Sequence, residues 1–165
     1  MSEKTALLFE KFKALSIEVT TYEHPPLHTV EESQALRGSI AGAHTKNLFL
    51  RDRKGAHFLV TALEDAEIDL KSIHHIIGAS GRVSFGKPDA MEAYLGVRPG
   101  AVTPLGVLND EGGQVKVVLD EDLMRHDIIN AHPLHNEATT SIARVDLIRF
   151  LEAVNHSPAI LKVSR

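Results

Sequence analysis

The chain contains no cysteine and no tryptophan, and aromatic residues make up only 5% of its 165 residues. Without cysteine there can be no disulfide, no thiolate nucleophile and no thiolate metal site, which excludes cysteine proteases and zinc fingers. The sequence also has no run of 18 apolar residues, and its first residues lack the pattern of a secretory signal. We therefore expect a soluble, cytoplasmic protein with no membrane partner.

Positive charge is scarce as well, because 18 Lys and Arg residues face 22 Asp and Glu residues, for a net charge of −4. This balance argues against a broad duplex-binding surface, and no DNA partner is expected. One segment, Lys46 to Lys54, nevertheless holds four basic residues and one acidic residue among Leu and Phe. It is either a solvated hairpin or a small basic patch for the backbone of a single nucleic-acid strand.

The length and the composition, with 43% hydrophobic and 24% charged residues, indicate one globular domain over residues 1–165. Hydrophobic periodicity and turn residues predict helices over 3–15, 29–36, 69–77, 88–95 and around 147–154, and strands over 17–22, 46–62 (a hairpin), 82–85, within 99–113, 114–120, 138–143 and 159–163. Tight turns between several strands favour an α/β (α+β) fold. Its mixed, largely antiparallel sheet, open or barrel-like, is expected to be surrounded by helices.

Familiar catalytic signatures are missing from the chain. The nearest approach to a Gly-x-Ser-x-Gly elbow, Gly78 to Gly81, has the wrong spacing, and the phosphate loop and the dinucleotide fingerprint are absent. Ten histidines give only weak metal spacings, since His132 and His135 have a proline between them and no acidic residue in helical register. No metal and no cofactor are therefore expected.

Lys46 occupies an informative position in the predicted hairpin. Side chains alternate between the two faces of a strand, so Lys46 shares a face with Leu48 and Leu50. If the two leucines point into the core, Lys46 points toward a pocket at the end of the strand, and Arg51 lies on the other face.

A series of segments carries a more specific signal: HPPLHTVEES, KNLFLRD, GRVSFG, LGVRPGAVTPLGVLND, VVLDEDL, HPLHNEATTSI and the helix DLIRFL. With these segments the chain resembles the YbaK/ProX family almost from end to end. That family comprises the editing domain inserted in bacterial prolyl-tRNA synthetases and free-standing relatives that hydrolyse mischarged aminoacyl-tRNA. Because GAVTP and HPLHN occur together, the sequence is most similar to the alanyl-tRNA(Pro) deacylases.

The resemblance implies roles for particular residues. Lys46 matches the essential lysine that holds the 3′-terminal adenosine of the tRNA. The loop whose backbone lines the aminoacyl pocket corresponds to Gly100, Ala101, Val102, Thr103 and Pro104. The family often has Ser in place of Ala101 and Phe in place of Leu105, which leaves the size of the pocket open.

Five more residues are expected to contact the substrate. Thr29, His132 and Asn136 are expected to border the aminoacyl group, whereas Arg51 and Arg82 are expected to contact the acceptor stem. The partner is therefore aminoacyl-tRNA, bound through its acceptor stem and 3′ end, with prolyl-tRNA synthetase as a further candidate partner.

The implied activity is trans-editing, the hydrolysis of mischarged Ala-tRNA(Pro). A synthetase site built for proline cannot reject the smaller alanine well, since a few missing carbons are worth only about 1–3 kcal/mol. A second site that admits alanine and excludes the prolyl ring removes the error. Two other functions stay open: hydrolysis of another small ester, such as seryl-, threonyl- or 2-aminobutyryl-tRNA, and binding of the acceptor stem without catalysis.

Overall fold

The computed structural model describes residues 2–26 and 30–165, which form a mixed sheet with helices on both faces. The strands are β1 (Val19–Glu23), β2 (Ala43–Arg51), β3 (His57–Leu63), β4 (Ser84–Phe85), β5 (Val115–Asp120), β6 (Ile128–Ala131), β7 (Ala138–Ala143) and β8 (Ala159–Leu161). The helices are α1 (Glu3–Ala14), α2 (Val30–Ser39), α3 (Ile73–Ile77), α4 (Pro88–Leu95) and α5 (Arg144–Ala153), with 3₁₀ helices at Pro104–Asn109 and Leu123–Arg125.

The strands follow the order β1-β7-β6-β2-β3-β5-β8, and β4 pairs with β2 beside this path. The β1–β7, β6–β7, β2–β3 and β2–β4 pairs are antiparallel, whereas β2–β6, β3–β5 and β5–β8 are parallel. The predicted mixed α/β fold is confirmed. Antiparallel pairs prevail only narrowly in the described part, because the turns visible in the sequence do not reveal the crossover connections.

Two hydrophobic clusters cover the central strands from opposite faces. The larger one joins Leu59 of β3 to Phe12 of α1 and Phe150 of α5. The smaller one joins Val60, the next residue of β3, to Ile73 of α3. Neighbouring residues of β3 thus enter different clusters, which is why this strand is apolar on both faces.

Helix ends agree well with their sequence signals. Pro88 begins α4, as a residue without a free N–H can at a first turn. Helices α3 and α4 both end at glycines in the left-handed conformation, Gly78 (φ +74°) and Gly96 (φ +67°).

Two predictions need correction, and one strand was missed. The helix expected from Asp69 begins only at Ile73, because the Asp69 carboxylate accepts from the N–H of Lys71 and the hydroxyl of Ser72 and forms a turn instead. The strand expected within 99–113 is a 3₁₀ helix that begins at Pro104. Strand β6 was not predicted at all. Thr29, where the helix over 29–36 is predicted to begin, lies outside the described residues.

Candidate active site

One edge of β2 is interrupted near its middle. Strand β3 pairs with β2 from Thr45 to Arg51 and occupies one edge. On the other edge β6 pairs only with Ala43 and His44, and β4 pairs only with Leu50 and Arg51. Within the described chain, no strand pairs with residues 45–48 on this second edge. We call this interval the sheet gap, and Lys46 lies in it.

Lys46 is half-buried, and its ammonium group Nζ donates a hydrogen bond to the carbonyl oxygen of Ala66, in the turn after β3. Leu48 and Leu50 pack in the smaller core cluster, as the alternation along the strand predicted. No hydrogen bond or ion pair between described residues joins Lys46 to the 100–104 loop or to His132.

Asn47, the next residue, connects the sheet gap to the Gly-x-x-x-Pro loop. Its side-chain Nδ2 donates to the carbonyl oxygen of Val102 at 3.0 Å, and its Oδ1 accepts from the hydroxyl of Thr61 at 2.6 Å. A carbonyl oxygen can only accept, so Val102 determines which end of the amide faces the loop. Because a peptide bond is planar and trans, holding the carbonyl of Val102 also fixes the direction of the Thr103 N–H.

The loop itself is tightly built. Gly100 adopts φ +92°, which suits glycine. The N–H of Ala101 donates to the carbonyl of Arg98 at 3.0 Å, so this amide is already used. Thr103 is fully buried, and its hydroxyl accepts from the N–H of Leu105 at 3.2 Å. Leu105 lies in the larger core cluster, so this departure from the family pattern is a packing position.

His132 follows β6 and is partly buried. Its Nδ1 lies 3.4 Å from the carbonyl oxygen of Ala138, and a hydrogen bond between them requires the tautomer with the proton on Nδ1, in which Nε2 is an acceptor. Burial lowers the pKa of His132 below its ordinary value, which keeps the ring neutral at pH 7. Beside it, His24 Nε2 is 2.9 Å from the hydroxyl of Thr139.

Two residues of the HPLHN segment, His132 and Asn136, line different cavities. A cavity of about 100 Å³ is lined by His44, Thr45, Asn130, His132 and Thr139 among others. Asn136 instead borders two open depressions of about 1050 and 460 Å³. A Cβ built on Gly100 would lie 3.7 Å from Nδ2 of Asn136, so the GAVTP and HPLHN loops meet at this residue.

Arg51 and Arg82 lie near the opposite end of β2. Arg51 is about 17 Å from Lys46 along the strand, at roughly 3.3 Å per residue, and it is opposite Ser84 of β4. Arg82 is exposed. Asp52 stabilises the turn that follows Arg51 and joins it to the segment before Arg82. Its carboxylate accepts hydrogen bonds from the N–H groups of Lys54, Ala56 and Ser80, each at 2.9 Å. These bonds, with that of Ser80 first, lower the pKa of Asp52 despite its burial.

Sequence reasoning overlooked Asn47, Thr61 and Thr139. Asn47 is adjacent to Lys46, and a polar side chain within a strand rich in Leu and Phe is the signal that could have drawn attention to it. Thr61 looks like an ordinary β-branched strand residue, so its role is visible only in the fold. Thr29, expected at the substrate, lies outside the described residues.

Neither a metal site nor a membrane span emerges from the part of the chain that the structure describes. Residues 2–26 and 30–165 contain no group of three or more His, Cys, Asp or Glu side chains that could hold a metal ion. The same residues contain no helix with the length and apolar character needed to cross a bilayer.

The chain matches the family model of the aminoacyl-tRNA editing domain over residues 24–150, and it belongs to that family. It is 40% identical to the prolyl-tRNA editing protein ProX of Acetoanaerobium sticklandii, over 93% of each chain. It is 38% identical to the prolyl-tRNA synthetase associated domain-containing protein 1 of Mus musculus, over 97% of this chain and 96% of the relative. A crystal structure provisionally described as a trans-editing enzyme for prolyl tRNA synthetase has the same fold, with a TM-score of 0.71, 20% identity and 98% of each chain covered.

Proposed function

We propose that this chain is a trans-editing hydrolase that removes alanine from mischarged Ala-tRNA(Pro), with residues 1–165 acting as one editing domain. The observation that carries the proposal is the 40% identity, over 93% of both chains, to a protein named for prolyl-tRNA editing. Membership of the aminoacyl-tRNA editing family supports ester hydrolysis over binding alone.

The terminal adenosine of the tRNA binds at the sheet gap in this proposal. The ammonium of Lys46 has three N–H donors, and one of them reaches the carbonyl of Ala66. The remaining donors can hold ribose or phosphate oxygens of the last nucleotide. Arg51, at the far end of the same strand, and Arg82, just before β4, then reach the acceptor stem, where their guanidinium groups suit phosphate.

Water is the nucleophile, assisted by the 2′-hydroxyl of the terminal ribose. The water oxygen attacks the ester carbonyl carbon, and the bond from that carbon to the 3′-oxygen breaks. The 3′-oxygen takes up the proton that the water loses, which yields alanine and free tRNA. Backbone N–H groups of the 100–104 loop stabilise the developing oxyanion. Because the N–H of Ala101 is used within the loop, we assign this role to the amides of its neighbours, Gly100 and Val102.

We assign selectivity for a small amino acid to the narrow cavity of about 100 Å³ beside His132. In this proposal the cavity admits the alanyl methyl group and its walls clash with the larger prolyl ring, so the correct product is spared. His132 and Thr139 border this space, and we assign to Asn136, which lies beside Gly100, a contact to the substrate from the side of the loop.

Single-turnover hydrolysis of Ala-tRNA(Pro), Pro-tRNA(Pro) and Ser-tRNA(Pro) tests the proposal. The wild-type protein should hydrolyse the alanyl ester and leave the prolyl ester intact. Lys46→Ala should slow alanyl hydrolysis by a factor of about 100 or more, in the range for loss of a group that positions the substrate.

The matched control is Lys13→Ala, since Lys13 is an exposed lysine at the end of α1, outside the proposed site. It should hydrolyse Ala-tRNA(Pro) at the wild-type rate. Preferential loss of the seryl ester would favour another small aminoacyl substrate. Stability of all three esters, with the tRNA still bound, would leave a module that binds the acceptor stem without catalysis.

A further inference from the structure

Phe85 is the most exposed large hydrophobic side chain in the described part of the chain, with 60% of its surface accessible. A lone exposed apolar residue is common and needs no explanation by itself. This one stands on a rigid support. The N–H of Gly86 donates to the carbonyl of Phe49 at 2.8 Å, and a Cβ on Gly86 would lie only 2.4 Å from the Phe49 ring.

The register of β4 places Phe85 on the same face of the sheet as Lys46. Phe85 is opposite Leu50, and directly opposed residues of antiparallel strands point to the same side. Leu50 and Lys46 are four residues apart on β2, so they also share a face. The separation is about 13 Å along the strand and about 5 Å across to β4, or about 14 Å in all.

Exposed cations flank the ring of Phe85 along the chain. Arg82 precedes it by three residues and Lys87 follows it by two, and both are exposed. The aliphatic part of Arg53 packs against the loop that leads into β4, with its Cδ 2.6 Å from the position of a Cβ on Gly81. A polyanion bound at Lys46 would therefore meet further positive charge on its way past Phe85.

We propose that Phe85 stacks on an unpaired base of the 3′ end of the aminoacyl-tRNA, upstream of the terminal adenosine. The inference rests on the proposed function, since it requires that adenosine at Lys46. At about 3.4 Å per nucleotide in a stacked strand, 14 Å is about four nucleotides, and fewer in an extended strand. The single-stranded 3′ end of a tRNA spans that distance. An aromatic ring beside basic residues binds single strands with little sequence preference.

The test compares Phe85→Ala, Phe85→Leu and Phe85→Tyr on two substrates, Ala-tRNA(Pro) and 3′-O-alanyl-adenosine. Removal of the ring should raise KM for Ala-tRNA(Pro) about tenfold with kcat unchanged, within the range measured for base stacking on aromatic residues. Tyr keeps the ring and should stay within about twofold of the wild type. All three variants should hydrolyse alanyl-adenosine like the wild type, because that substrate ends before Phe85.

Val145→Ala is the matched control, because Val145 is 58% exposed on α5 and carries no proposed role. Binding of uncharged tRNA(Pro), followed by fluorescence anisotropy, should weaken about tenfold in Phe85→Ala. This measurement tests the stacking even if the wild type hydrolyses neither ester. Failure of the stacking proposal and failure of the proposed hydrolysis are therefore distinguishable. Unchanged tRNA affinity, full affinity in Phe85→Leu, or an equal loss on alanyl-adenosine would overturn the inference.

Discussion

The two halves of the sheet on either side of β2 differ in the balance of buried aliphatic and buried polar side chains. On one side, β3 and β5 contribute buried aliphatic residues such as Leu59 and Val118. On the other side, β6 and β7 contribute buried polar residues, among them Asn130 and Thr140, and Asn130 accepts a hydrogen bond from the half-buried Ser141. The aliphatic half also buries Thr61 and Asp120, so the difference is one of balance. The comparison leads us to expect that the aliphatic half contributes more to stability and that the polar half contributes more to the candidate site, with the sheet gap at their boundary.

The polar half satisfies its own hydrogen bonds, which is the condition for burying such groups. Asn130 Nδ2 donates to the carbonyls of Ala41 and Ala43 at 3.1 and 3.2 Å, and Thr45 donates to the carbonyl of Asn130 at 2.8 Å. These bonds hold β6 against the start of β2 where strand pairing stops. Polar groups close to the gap are therefore positioned before any substrate arrives, as catalysis by positioning requires.

Leu59→Ala should produce the largest change in stability. Leu59 is fully buried, and removing its side chain should lower the free energy of unfolding by about 2–5 kcal/mol. Urea denaturation gives the measurement, and the hydrolysis rate per folded molecule should stay close to the wild-type value. Ile160→Ala, at a position 45% exposed on β8, is the control and should cost far less. Ile160 lies on the same side of β2, so equal losses from the two variants would show that stability does not depend on the buried core around Leu59.

Thr61→Val should have an intermediate effect, and mainly on the reaction. It removes the hydroxyl that donates to Asn47 and so loosens the tie between the sheet gap and the carbonyl of Val102. An unsatisfied buried acceptor costs about 1–3 kcal/mol, and we expect kcat to fall about tenfold with KM little changed.

Thr61→Ser keeps the hydroxyl and is the conservative control, so it should restore most of kcat. A merely structural role predicts a different pattern, in which both variants lose stability and neither changes the ratio of kcat to KM. That result would remove Thr61 from the group of positioning residues.

The smallest effect concerns His132 and the pH dependence of hydrolysis. Burial lowers the pKa of His132 below 6.5, so the ring is neutral at pH 7 and becomes charged only as the pH falls through that lowered value. We expect kcat/KM to be level around neutrality and to fall in acid as Nε2 gains a proton. His132→Gln should abolish this acid limb at a modest cost in rate.

His126→Gln is the control, because His126 is exposed and should leave the acid limb in place. Circular dichroism at each pH separates loss of activity from loss of folded protein. An unchanged acid limb in His132→Gln would assign the titration to another group.

Much of the fold was predictable because its signals are local. Strand β7 and helix α4 have the predicted bounds, and the left-handed glycines that close α3 and α4 follow short-range rules of chain geometry. Strand β6 escaped prediction because it has only four residues and pairs in parallel with β2, where Ile129 is opposite the distant Ala43 (129 − 43 = 86 positions). The segment after Pro104 is apolar like a strand but forms a 3₁₀ helix, because its residues pack into the larger core.

The candidate site shows the same division. The sequence alone was enough to select Lys46, the GAVTP loop and the HPLHN segment, because each belongs to a continuous segment that resembles the family. Their arrangement could not, since His132 borders the small cavity and Asn136 borders the two open depressions although both belong to one string. The roles proposed for these residues remain predictions that the Lys46 and His132 variants test.

The sequence by itself determined the α/β class, the alternation that puts Lys46 on one face of β2 and the family to which the chain belongs. These features are written in neighbouring residues, whose periodicity and order do not depend on distant contacts. Only the tertiary structure decided that one edge of β2 is left unpaired at Lys46 and that Phe85 reaches the same face. Both depend on which distant strands pair with β2, and that choice follows from the packing of the whole core.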